Sequence, residues 1–118
     1  MILDTTFLSD FFDQEQAAQN FWARHRSDPF RITVISVGEM AVIFPNNAAA
    51  RAYLNPFRCY RLTPEIAYAA AALDRELRNE RLGENDNWIA GFCRYYGEAL
   101  VSRDRAFDRV PGLRRIPY

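Results

Sequence analysis

The sequence predicts an α/β fold, a three-layer α/β/α sandwich around a central, mostly parallel sheet. Three observations predict it. Short apolar, β-branched runs recur along the chain, in "MILD", "RITVIS", "CYRL" and "EALVS". Between them lie longer stretches with apolar residues at helical spacing, and strands alternating with helices call for a parallel sheet covered on both faces. With 118 residues, half of them hydrophobic and 14% aromatic, the chain suffices for one core and is too short for two. Residues 1–118 are therefore read as a single domain.

"MILD" is the first strand, an apolar run ending in an acid. "TTFLSDFFD" and "EQAAQNFWARHR" follow as helices. In so small a domain most of their aromatics, Phe7, Phe11, Phe12, Phe21 and Trp22, are expected in the core, but five are many for two short helices and some are expected to face a partner. "RITVIS" is the second buried strand, after which "VGEMAVIF" turns helical. Pro45-Asn46-Asn47 breaks the chain before the helical "AAARAYL", and "CYRL" is a third short strand. Thr63-Pro64-Glu65 starts a helix with a capping hydroxyl, proline at the first position and an acid in the first turn. Ile66, Ala70, Leu73 and Leu77 then form one apolar stripe. Gly83 is expected to end that helix as its C′ residue. Asp86 opens the next helix, "NDNWIAGFCRYY", which Gly97 closes. "EALVS" is a fourth strand and "RRIPY" a short last edge.

Composition narrows the chemistry. Acids and bases balance to a net charge of zero, which argues against a generic nucleic-acid coat. All 15 basic residues are arginine, suited to planar contacts with phosphate or carboxylate. Without lysine there is no phosphate-loop lysine and no Schiff base. The single histidine, His25, excludes paired-histidine catalysis and histidine-rich zinc sites. Any catalysis falls to carboxylates. Charge is also polarised: residues 1–50 are acidic, and residues 94–118 carry six arginines against three acids. No apolar run approaches the ~20 residues of a membrane span. "MILDTTFLSDFF" lacks the basic start of a signal peptide. Cys59 and Cys93 make no metal-type pair, and the reading is a cytoplasmic protein with reduced thiols.

Four acids stand where a parallel sheet collects ligands. Asp4 ends the first strand, Glu39 follows the second, Asp86 opens a helix and Asp104 follows the fourth strand. Loops at the carboxyl ends of parallel strands converge on one crevice. Two carboxylates about 4 Å apart repel by roughly 4 kcal/mol at an effective dielectric of about 20. A domain stable by about 5–15 kcal/mol does not gather several without compensation. Oxygen-only ligands suit Mg²⁺ or Mn²⁺, and such ions activate water and neutralise the leaving oxygen of a phosphodiester. For each acid alone a turn, cap or surface role is the commoner explanation, and Asp108 lies close enough to Asp104 to substitute for it.

At these motifs the sequence resembles the PIN domain family, and within it the VapC-type toxin ribonucleases. "MILDTTFL" is similar to the family's opening strand and aspartate, "ISVGEM" to its glutamate motif and "GENDNWIAG" to its Asn-Asp helix start. "LVSRDRAFDRVPGLRRIPY" is close to the typical ending. The likeness covers essentially the whole chain, and implies a PIN-like sandwich in which Asp4, Glu39, Asp86 and Asp104 bind Mg²⁺, or Mn²⁺, for RNA hydrolysis. Asn85 would support Asp86 or cap its helix, and Thr5 and Ser102 sit where the family often has a hydroxyl near the metal. The resemblance also implies a homodimeric toxin of a type II toxin–antitoxin system, held by a VapB-type antitoxin. Two departures stand out: the stretch from Phe44 to Leu62 is short, and Ala90-Gly91 replaces the commoner Ala-Ala.

Two function classes follow. One is a metal-dependent endoribonuclease whose arginines 103, 105, 109, 114 and 115 rim an acidic centre. The other is a non-catalytic PIN-like scaffold that binds RNA or protein.

Overall fold

The computed structural model describes all residues, 1–118. In chain order the elements are β1 (Ile2–Leu3), α1 (Thr5–Phe12), α2 (Gln16–Arg24), β2 (Ile32–Thr33), α3 (Val34–Ile43), α4 (Asn47–Leu54), β3 (Cys59–Tyr60), α5 (Pro64–Glu76), α6 (Glu84–Tyr96), β4 (Leu100–Val101), a 3₁₀ turn (Arg105–Arg109) and β5 (Arg115–Ile116).

Every strand pairing is parallel. β4 is central to one ladder, with Leu100 opposite both Ile2 and Arg115, and Val101 opposite Leu3 and Ile116. β2 and β3 form a second ladder, with Ile32 opposite Cys59. A parallel bridge between Ile2 and Arg31 joins the two, giving the order β3-β2-β1-β4-β5. At that junction Leu3 N donates to Arg31 O and Arg31 N to Met1 O, at 2.8 and 2.9 Å.

Alternation along these strands creates the three layers, because successive side chains leave a strand on opposite faces. Ile2 and Leu100 enter one cluster with Ile66, Leu73, Ile89 and Phe92 of α5 and α6. Leu3 and Val101 enter the other with Phe7, Phe21, Met40 and Leu54 of the first four helices. Helices α5 and α6 lie close: a Cβ built on Gly91 would stand 2.8 Å from Ala70 Cβ. Asn87 Nδ2 ties the pair further by donating to Ala70 O at 2.9 Å. This explains Ala90-Gly91, since only glycine leaves room for Ala70. Gly112 serves the "VPGL" turn. Its φ of 79° meets the left-handed requirement of a turn closed by Leu113 N to Val110 O at 3.2 Å, which delivers the chain to β5.

Two expectations are corrected. The second strand was expected through Ser36, but it stops at Thr33 and α3 begins at Val34. Thr33 Oγ1 accepts from Ser36 N, and this cap outweighs the β preference of Val34 and Ile35. Gly83 is not a C′ residue. Helix α5 ends at Glu76, and Gly83, with a φ of −58°, is the N-cap of α6. The N-terminal aromatics are mainly core: Phe7 and Phe21 are buried, and Phe11, Trp22 and Phe30 stack behind them with centroids 5.0–5.2 Å apart. Only Phe12 of the five stays exposed, against Phe44 and Tyr53. Cys59 and Cys93 are free thiols, and no helix is long and apolar enough to cross a membrane.

Candidate metal centre

Four elements bring the predicted acids to one place. Asp4 leaves β1 at its carboxyl end, Glu39 projects from α3, Asp86 stands in the first turn of α6, and Asp104 follows β4. All four line a single cavity of about 260 Å³ together with Thr5, Thr6, Ser9 and Arg103. Its lining has no hydrophobic residue.

Each acid is held differently. Asp4 is 3% exposed and makes no side-chain cap of α1. Its Oδ2 accepts from Ser102 Oγ at 2.7 Å and Thr6 Oγ1 at 2.9 Å. Burial pushes its carboxyl up, the two hydroxyls oppose that, and the charge of Glu39 adds a small upward push. Glu39 Oε1 accepts from Thr5 Oγ1 at 2.6 Å, and Oε2 from Asn85 Nδ2 at 3.4 Å. Thr5 Oγ1 also lies 2.9 Å from Ser36 Oγ, a hydroxyl with no solvent exposure. Asp104 caps the 3₁₀ turn through Oδ1, which accepts from Ala106 N at 2.9 Å, while its own N–H donates to Ser102 Oγ at 3.0 Å.

Asp86 is the exception. Gly83 holds the N-cap position of α6, and Asp86 makes no hydrogen bond to another side chain. Burial first, and then the charges of Asp4, Asp104 and Glu39, push it up to about 6. A half-buried carboxylate facing three others, with no donor of its own, is electrostatically unsatisfied.

Carboxylates and hydroxyls supply only oxygen, the donor set of a hard divalent ion. No three of the acids approach closely enough to form a ready-made cage. A cation would offset their shared charge. The residues fit Mg²⁺ or Mn²⁺ in chemistry, and Asp86 is the acid that no side-chain hydrogen bond holds.

Asp108 is not among the lining residues. Arg115 clasps it in a two-pronged pair, Nε to Oδ1 at 2.8 Å and Nη2 to Oδ2 at 3.1 Å, which holds its carboxyl below the usual range. Of the arginine rim, Arg103 alone lines the cavity. Sequence reasoning missed Thr6 and Ser36. Thr6 follows Thr5 directly, and Ser36 precedes Glu39 by three residues, the spacing of one helical face.

The PIN domain family model matches residues 1–113. The chain belongs to the PIN domain family. As a PIN domain it is similar in fold to VapBC2 from Rickettsia felis, solved bound to a DNA fragment from their promoter. The TM-score is 0.82 at 16% identity, covering 98% of this chain and 96% of that one. It is similar also to a toxin–antitoxin complex from Klebsiella pneumoniae, with TM-score 0.78, 24% identity and 95% and 93% covered. A third is Mycobacterium tuberculosis VapC20, a toxin that cleaves the sarcin–ricin loop, with TM-score 0.73, 16% identity and 92% of each chain covered. No curated protein matches the sequence. At these identities the structural likeness establishes this PIN domain's fold, and its chemistry rests on its own residues.

Proposed function

We propose that this PIN domain is a Mg²⁺-dependent endoribonuclease, the toxin of a type II toxin–antitoxin system, with Asp4, Glu39, Asp86 and Asp104 as its metal-binding acids. One observation carries the reading. Four carboxylates from four elements line one wholly polar cavity, where burial and then the charges of the other three push Asp86 up to about 6. Gathering them against their repulsion is costly unless a cation neutralises them. Membership in the PIN family and the likeness to VapC20 and to toxin–antitoxin complexes support the same reading.

When bound, Mg²⁺ or Mn²⁺ supplies an activated water and neutralises charge on the phosphate. The chain's own residues prepare for it. Ser102 and Thr6 fix one oxygen of Asp4 and leave the other without a side-chain donor. Thr5, braced by Ser36, holds Glu39 from one side and Asn85 from the other. Asp104 keeps Oδ2 uncommitted while Oδ1 caps the turn. A VapB-type antitoxin belongs to this reading, supported by the complexes named above, and the reading carries with it a homodimeric state and a cytoplasmic site of action.

Purified protein incubated with total RNA is expected to cut it in Mg²⁺ and not in EDTA, with Asp4→Asn inactive. Cleavage that persists in EDTA overturns the metal reading. Folded wild-type protein inert on RNA in both Mg²⁺ and Mn²⁺ favours the non-catalytic scaffold.

A further inference from the structure

Arg103 is the single basic residue lining the acidic cavity. Its neighbours in sequence fix it there, since Ser102 binds Asp4 and Asp104 is itself part of the lining. Its backbone N–H donates to Thr6 Oγ1 at 3.4 Å, the hydroxyl that donates to Asp4. The guanidinium is held in turn. Nε donates to Asp10 Oδ2 at 2.8 Å and Nη2 to Asp10 Oδ1 at 3.4 Å. Asp10, with a side chain 16% exposed, is itself pinned by Tyr118, whose hydroxyl donates to Oδ2 at 2.7 Å. The Tyr118 ring packs edge-on against buried Phe7 at 5.0 Å.

An ordinary surface ion pair contributes little and holds neither partner firmly. Here a largely buried carboxylate, fixed by a phenol anchored in the core, sets the plane of the guanidinium. Two of its five N–H groups are used, and the rest remain available on a side chain 61% exposed. A fixed arginine fork beside a metal-binding cavity matches a phosphate oxygen in charge and in geometry.

We propose that Arg103 binds a non-bridging phosphate oxygen of single-stranded RNA at the mouth of the acidic cavity, with Asp10 and Tyr118 as positioning residues that set its guanidinium. The proposal rests on the ribonuclease reading above. It gives the cavity one cation to receive the polyanion that the carboxylates would otherwise repel.

The test is steady-state cleavage of a fluorogenic single-stranded RNA in Mg²⁺ at several salt concentrations. Arg103→Ala is expected to raise KM about tenfold with kcat little changed, the loss of one charge-assisted contact. It should also reduce the slope of log(kcat/KM) against log salt by about 0.7, the loss of one phosphate contact to a single strand. Arg103→Lys is expected to restore the slope but not the KM, because lysine keeps the charge and lacks the fork. Tyr118→Phe keeps the ring and loses the hydroxyl, and is expected to raise KM by a smaller factor at unchanged slope. The Mg²⁺-induced rise in melting temperature should persist in all three. Wild-type KM and slope in Arg103→Ala, in a preparation where wild type cuts RNA, overturn the assignment alone. Wild type that does not cut overturns the ribonuclease reading and this assignment with it.

Discussion

Ser102 and Asp4 are 98 positions apart in the chain, yet the serine hydroxyl donates to the aspartate carboxylate at 2.7 Å with both residues buried. The same Ser102 oxygen accepts from Asp104 N, so one hydroxyl ties together two of the four acids. Ser102→Ala is expected to leave Asp4 with a higher pKa and Asp104 N without its acceptor. The cost should be about 1–3 kcal/mol, read by urea denaturation in EDTA, together with weaker Mg²⁺ binding. A variant as stable as wild type removes this hydroxyl from the account of the site.

Asp86 sets a pH dependence whose sign is fixed. Its carboxyl is raised from 3.8 to about 6, so protonation favours the fold. Its contribution is fully present below about pH 4 and is lost as pH rises through about 6. Asp4, also raised, acts in the same direction. In EDTA the melting temperature of wild type is expected to fall relative to Asp86→Asn over that window. Parallel curves for the two proteins contradict a raised Asp86 carboxyl.

Mg²⁺ should reverse that order near neutral pH. A ligand that binds only the folded state stabilises it by about 2.7 kcal/mol at a hundredfold excess over its dissociation constant. Wild type is expected to gain this and Asp86→Asn much less. If Mg²⁺ shifts both equally, Asp86 is not a ligand of the ion.

Asp104 and Asp108 can be separated by the same measurement. Asparagine caps a turn about as well as aspartate, so Asp104→Asn should fold normally and lose most of its response to Mg²⁺. Asp108, clasped by Arg115 away from the cavity, should keep the full response as Asp108→Asn. The opposite pattern would move the fourth ligand to Asp108.

Gly91→Ala should be destabilising, because the new methyl meets Ala70 Cβ at 2.8 Å and Ala70 Cα at 3.1 Å, the latter unable to yield without backbone movement. Overpacking of this kind costs about 1–3 kcal/mol. Chemical denaturation of Gly91→Ala and of the double variant Gly91→Ala/Ala70→Gly checks it. The double variant is expected to recover part of the loss.

The sheet and its layers are legible because strand-forming runs and helical stripes are local signals, and β1, the start of α5 and β4 lie where their patterns put them. What escaped was decided between local alternatives or at long range. "RITVIS" reads as a strand throughout, and only the Thr33 cap shows that half of it is helix. Gly83 satisfies the sequence pattern of one helix's end and of the next one's start, and its negative φ decides for the start. Asp4, Asp86 and Asp104 stand out because each follows or opens an element, whereas Glu39, read as following the second strand, lies inside α3 because that strand stops at Thr33. The hydroxyl partners do not stand out, since Thr6 and Ser36 look like ordinary helix residues until tertiary packing brings Ser102 and Thr5 to them. Nor does anything near Asp108 in sequence show that Arg115 will claim it.

Strand order also governs when the centre can exist. Asp4 emerges early in synthesis, but the neighbour that fixes it, β4, is made about a hundred residues later, and β5 closes the sheet beyond that. A ribosome-bound chain that has not yet released residues 100–116 lacks Ser102, Asp104 and Arg103, and Asp4 is left with Thr6 as its only side-chain donor. Closing so long a loop is also slow. The acidic cavity is therefore assembled only after β4 and β5 have left the exit tunnel, and a nascent chain arrested before Leu100 should lack the cavity and be readily proteolysed.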